Sequence, residues 1–157
     1  MRVGIGFDAH PFEAGRPLIL GGVEFDHAMG LAGHSDGDVL AHAVVDAVLG
    51  AAGLGDVGTH FPDSDDRWRG ASSLGFVSHV AALVSDAGLR ILNVDATVVC
   101  EAPRISIARE RIVERLAASL GVGPESVGVK GTTADRMGFT GRGEGIAAVA
   151  VALVGPV

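Results

Sequence analysis

Along the first residues apolar and polar positions alternate with a period of two, so residues 2–8 read as a strand that ends in Asp8-Ala9-His10. Leu18 to Phe25 reads as two short strands around a Gly21-Gly22 turn. The period then changes. Val39, Leu40, Ala43, Val44, Ala47 and Val48 recur at helical spacing, and with Asp36 as N-cap and Gly53 as stop the pattern predicts a helix over 36–53. A polar stretch from Gly55 to Gly70 reads as a loop before a second helix at about 72–87. A strand around Ile91–Cys100, a charged amphipathic helix near 105–120, a short strand at Val127–Lys130 and an apolar run Gly145–Val154 complete the pattern. Strands and helices alternate, but the opening hairpin and Gly-rich corners do not fit a regular parallel arrangement. The expected fold is therefore α+β, a mixed β-sheet with helices packed on one face in two layers.

The length of 157 residues fits a single domain, 1–157. With 48% hydrophobic residues, 4% aromatics and 24 glycines, the core should be aliphatic and threaded through tight turns. A net charge of −7 excludes a nucleic-acid backbone binder, whose affinity would rest on Lys and Arg clusters. No apolar segment reaches membrane-span length, and an acid follows soon after the N-terminus, so no membrane association and a cytoplasmic location are expected. The lone Cys100 lies in an apolar run and reads as a small buried hydrophobe.

Chemistry concentrates in a few segments. Asp8 and His10, two apart on a strand end, share one face and could share a divalent ion. Asp38, His42 and Asp46 form a polar stripe at i, i+4 and i+8 on an otherwise apolar helix, which makes His42 a third candidate ligand. The same residues also fit a solvent-facing stripe and a strand-ending acid. With one cysteine in the chain, a His and carboxylate set suits a catalytic site that keeps a position open for substrate, rather than a closed structural site. Gly33-His34-Ser35-Asp36-Gly37-Asp38 offers hydroxyl, imidazole and free N–H groups at a helix start, fit for a phosphate or for ordinary capping. The acidic loops around Asp56-Val57-Gly58 and Phe61-Pro62-Asp63-Ser64-Asp65 could accept hydroxyls or simply be solvated. Lys130-Gly131-Thr132-Thr133-Ala134-Asp135 and Phe139-Thr140-Gly141-Arg142-Gly143-Glu144-Gly145 could hold a diphosphate and a hard cation, or form a turn with an Arg142–Glu144 ion pair.

Together Gly6-Phe7-Asp8-Ala9-His10, His34-Ser35-Asp36-Gly37-Asp38 with His42, Phe61 to Asp65, Thr132-Thr133 and Gly138 to Gly145 resemble the 2-C-methyl-D-erythritol 2,4-cyclodiphosphate synthases, nearly end to end. The resemblance implies that 4-diphosphocytidyl-2-C-methyl-D-erythritol 2-phosphate is cyclised with loss of CMP, a lyase step of the non-mevalonate isoprenoid pathway. The substrate's own phosphate would be the nucleophile, consistent with the lack of an evident Ser-His-Asp or Cys-His set. It implies zinc at Asp8, His10 and His42, and magnesium or manganese with Asp135. His34 and Thr133 match transition-state stabilisers, and Asp8, His10, Phe61, Thr132, Asp135, Phe139 and Arg142 also fall in substrate-contacting segments. Ser35, Asp63 and Asp65 match the methylerythritol phosphate subsite, Asp56 and Gly58 the ribose, and Ala102, Pro103, Arg104, Ile105 and Ser106 the cytidine-binding segment.

Two positions depart from that pattern: Asp135 stands where Glu is common, and Arg104 where Lys is common. The shorter acid puts metal preference in question, and Arg keeps the charge with another geometry. The resemblance also implies a homotrimer with sites between subunits, and an isoprenoid diphosphate in a central cavity near Phe7, Arg142 and Glu144. Two rival readings share these residues. One is a zinc-dependent phosphohydrolase, the other a non-catalytic trimeric isoprenoid-diphosphate sensor.

Overall fold

The computed structural model describes all 157 residues. Seven strands form a five-stranded sheet and a separate two-stranded ribbon. They are β1 (Arg2–Ala14), β2 (Leu18–Leu20), β3 (Val23–Phe25), β4 (Met29–Leu31), β5 (Leu89–Val99), β6 (Val127–Thr132) and β7 (Gly145–Pro156). The main sheet has the order β4-β1-β7-β5-β6, antiparallel except for the parallel β5–β6 pair, so it is mixed as expected. The helices are α1 (Val39–Ala52), α2 (Val57–His60), α3 (Ser73–Asp86), α4 (Arg109–Leu120) and α5 (Gly138–Gly141).

Alternation along the strands produces a two-layer molecule. Ile146, Ala148, Ala150, Ala152 and Val154 of β7 are buried, in one core cluster with residues of α1, α3 and α4. The opposite face has no covering layer: Val3, Ile5 and Phe7 of β1 are 68%, 72% and 59% exposed, and Val151 of β7 is 40% exposed. On the covered face Gly4 and Gly6 let α1 come close. A Cβ at Gly4 would lie 2.2 Å from the Ala47 carbonyl oxygen, and one at Gly6 would lie 2.0 Å from that of Ala43. Both contacts are with helix backbone, so the glycines fix where α1 sits along β1.

The sequence pattern and the structure part at four places. β1 continues past Asp8 to Ala14, because at Pro11 it stops pairing with β7 and from Phe12 onward pairs with β4. The helix predicted from Asp36 starts at Val39, with Asp38 as N-cap accepting from Ala41 N at 3.0 Å. Asp36 instead reaches across the fold to Ser73, accepting from its backbone N–H at 3.0 Å. The loop 55–70 contains α2 and a 3-10 turn at Asp66–Trp68, and the helix near 105–120 begins as a 3-10 turn, Ile105–Ile107, ahead of α4.

Candidate metal centre and nucleotide pocket

Beyond Gly4 and Gly6 on the same face of β1 come Asp8 and His10, and beside them α1 delivers His42. Asp8 Oδ2 lies 2.7 Å from His10 Nε2 and 3.0 Å from His42 Nδ1, and the two ring nitrogens are 3.2 Å apart. A tetrahedral ion with ligands about 2.0–2.1 Å away sets its ligand atoms about 3.3 Å apart, so one carboxylate oxygen and two imidazole nitrogens here suit a divalent cation. His10 Nδ1 is 2.5 Å from the Ala32 carbonyl, which accepts its N–H and leaves Nε2 free to face the cluster. The three side chains are partly open, at 28%, 17% and 12% exposure for Asp8, His10 and His42. Burial pushes the Asp8 carboxyl up, but hydrogen bonds and charge from His10 and His42 outweigh it and hold Asp8 below the usual carboxylate range. For His10, burial works against protonation and is outweighed by the Asp8 carboxylate, so its pKa rises.

The polar stripe on α1 divides into three separate tasks. Asp38 is fully buried and accepts from Gly21 N, Gly22 N and Ala41 N, tying the β2–β3 turn to the helix start. Burial pushes its carboxyl up to about 6, against the pull of those N–H groups. His42 enters the cluster, and Asp46 Oδ1 accepts from Val57 N at 2.7 Å, which fixes α2 beside the cavity.

The cluster opens into a cavity of about 220 Å³ lined by Gly33, His34, Ser35, Gly58, Phe61 and Asp63 among others. Phe61 stacks on Phe76, with Trp68 edge-on to both, making an aromatic wall. Arg16, which the sequence pattern did not single out, donates to the carbonyls of Gly33 and Ser35, each at 2.6 Å, and so clamps the His34 loop. Asp56 and Asp65 have local partners. Asp56 caps α2 through Thr59, and Asp65 pairs with Arg67 at 2.6 Å, each partner lowering the carboxyl pKa. Asp65 also presents its carbonyl to His34 Nε2 at 3.2 Å.

A second cavity, about 320 Å³, is lined by Pro103, Arg104, Ile105, Ser106, Thr132 and Thr133 with Glu101 and Arg109. Ala102 is next to it but is not part of its lining. Asp135 is exposed and has a positive φ of 51°, followed by Arg136 at 63°, a conformation costing about 1 kcal/mol or more per non-glycine residue. Glu101 Oε1 holds this turn by accepting from Ala134 N at 3.1 Å and Arg136 N at 3.3 Å. Phe139 is 40% exposed, and Arg142 pairs with Glu144 at 2.8 Å, so the ion pair foreseen in that turn is formed.

Register relates the two cavities. Ala9 on β1 faces Ala147 on β7, Ala147 faces Val99 on β5, and Val99 faces Thr132 on β6. Both cavities therefore lie at one end of the sheet, three strand spacings or about 14 Å apart along that row.

Fold and site define a two-layer α+β protein with a His, His, Asp candidate metal centre and a separate pocket at the same sheet end. The model of the YgbB family matches residues 1–155, and the chain belongs to that family. It is 53% identical over 154 residues to the 2-C-methyl-D-erythritol 2,4-cyclodiphosphate synthase of Pelotomaculum thermopropionicum, covering 98% of this chain and 95% of that protein. It is 55% identical to part of the bifunctional enzyme IspD/IspF of Erythrobacter litoralis, where 98% of this chain covers 40% of the relative. Among solved structures, IspF of Plasmodium falciparum in a CDP complex has a TM-score of 0.87 at 32% identity, covering 99% of this chain and 96% of that one.

Proposed function

We propose that the protein converts 4-diphosphocytidyl-2-C-methyl-D-erythritol 2-phosphate to 2-C-methyl-D-erythritol 2,4-cyclodiphosphate and CMP. The convergence of Asp8, His10 and His42 carries this reading, on a chain whose relatives of matching length bear the synthase name at 53% and 57% identity. In the reaction the substrate's 2-phosphate oxygen bonds to the β-phosphorus while the bond from that phosphorus to the bridging oxygen breaks, and CMP leaves. No protein nucleophile is needed, so the work of the site is alignment and charge neutralisation.

Each residue then has a task. Asp8, His10 and His42 would hold zinc, and Asp135 would help hold magnesium or manganese. When bound, such ions supply Lewis acidity and offset phosphate charge. His34 and Thr133 donate hydrogen bonds to the charge that develops on the phosphates. Ser35, Asp63 and Asp65 take the methylerythritol phosphate, Asp56 and Gly58 the ribose, and Ala102 to Ser106 the cytosine, with Arg104 close to the diphosphate. One substrate must meet both cavities, which lie on separate strands of one chain. A homotrimer that sets the nucleotide pocket of one copy beside the metal centre of the next satisfies this, and the uncovered apolar sheet face gives the copies a surface to bury.

The test is incubation with the cytidine substrate and magnesium, before and after zinc chelation, following CMP and the cyclic product. Metal-dependent release of both supports the synthase reading. Inorganic phosphate or a linear product points to a phosphohydrolase, and binding without turnover to a sensor.

A further inference from the structure

His42 presents its two ring nitrogens to different worlds. Nδ1 faces Asp8 and His10, whereas Nε2 points into the protein, 2.9 Å from Ser73 Oγ and 3.1 Å from Ser35 Oγ. A neutral imidazole has one N–H and one lone pair, so the partners of Nε2 decide which nitrogen is left for a metal. Ser73 is fully buried at the first turn of α3, and its hydroxyl has one proton to give. That proton goes to Asp36 Oδ1 at 2.5 Å, the only carboxylate the hydroxyl meets, while Asp36 Oδ2 accepts from Ser73 N at 3.0 Å. With its proton committed, Ser73 Oγ faces His42 Nε2 as an acceptor.

We propose that Ser73, backed by Asp36, is a positioning residue that holds His42 so that, with a cation bound, Nε2 carries the proton and Nδ1 turns its lone pair to the Asp8–His10 cluster. The two imidazoles are thus prepared by different means. His10 is oriented by the Ala32 carbonyl, which no side-chain substitution removes, and His42 by a hydroxyl that one substitution deletes. Phe76 stacks on the His42 ring at 6.1 Å and adds shape but no hydrogen bond. Ser35 Oγ, itself 3.2 Å from Ser73 Oγ and 3.4 Å from Gly37 N, offers His42 a second and longer contact. Loss of Ser73 should therefore loosen the ring rather than abolish the site.

This inference rests on the reading that Asp8, His10 and His42 take a divalent ion, and the experiment separates the two. Zinc affinity is measured by chelator competition for the unaltered protein and for Ser73→Ala, with metal-free melting curves as a check on folding. The His42 tautomer is read from long-range nitrogen–proton correlations on the unaltered protein at pH 8 with zinc bound. Expected are a zinc-bound His42 that carries its proton on Nε2, and zinc binding about tenfold to a hundredfold weaker in Ser73→Ala. An unaltered protein that binds no zinc overturns both readings. Zinc binding by Ser73→Ala within twofold of the unaltered protein overturns the positioning role alone. So does a zinc-bound His42 that carries its proton on Nδ1, a result that needs no variant to fold.

Discussion

Replacing Gly6 by Ala adds one methyl group where β1 and α1 touch. The new Cβ would lie 2.0 Å from Ala43 O and 2.7 Å from Ala47 N, both backbone atoms that no rotamer change can move. An unstrained carbon–oxygen contact needs about 3.3 Å, so α1 must retreat by about 1.3 Å. His42 immediately precedes Ala43, so its Nδ1, now 3.0 Å from Asp8 Oδ2, moves with the helix. Metal sites tolerate about 0.2 Å in ligand distance, so zinc affinity should fall at least tenfold. Overpacking of this kind costs about 1–3 kcal/mol, or roughly 2–12 °C in melting temperature for a chain of this size. The φ of Gly6 is not positive, so on backbone preference alone Ala would stabilise the strand by roughly 0.5–1 kcal/mol. The sign of the change therefore tests the steric account. Gly75→Ala on α3, where a Cβ meets nothing within 4 Å, is the control and should leave zinc binding unchanged while raising stability. A Gly6→Ala protein that melts higher than its parent with zinc affinity intact would refute the idea that the glycine seats the helix.

His42→Ala should remove zinc from the purified protein while leaving a folded far-UV spectrum, and metal analysis that still finds one zinc per chain would reject His42 as a ligand. Arg104→Ala should raise KM about tenfold with kcat nearly unchanged if Arg104 binds substrate and transition state alike, as steady-state kinetics would show. Burial, with Glu101 beside it, pushes the Cys100 thiol up to about 11 from an ordinary value of 9.0. Its reactive thiolate is thus about a hundredfold scarcer near pH 8, so alkylation of the native protein should be at least that much slower than in denaturant and speed up toward pH 11. Ile5→Lys, on the open sheet face, should shift a trimer toward monomer in sedimentation velocity.

What could be read along the chain depended on how local its cause is. α1 was visible because aliphatic spacing and a left-handed Gly53 C-cap both lie within the element. The candidate metal trio was visible for a similar reason: Asp8 and His10 share a strand face by period, and His42 was conspicuous among small apolar neighbours. The helix cap was misplaced by two residues, from Asp38 to Asp36, because the two acids are equally good caps in isolation. Only the meeting of Asp36 with Ser73 in the folded chain separates them. Ser73 and Arg16 did not stand out at all, since their partners lie many residues away. The extension of β1 through Pro11 was hidden for another reason. A proline signals a break, and here the break is a change of partner strand rather than an end.

The sheet's single covering layer has a thermodynamic consequence. Val3, Ile5, Phe7 and Val151 release little free energy when one chain folds by itself, because folding leaves them largely in water. If copies of the chain bury that surface in one another, part of the stabilisation becomes a matter of mass action, and the midpoint of unfolding climbs with protein concentration. Dilution would then act on this fold as a mild denaturant.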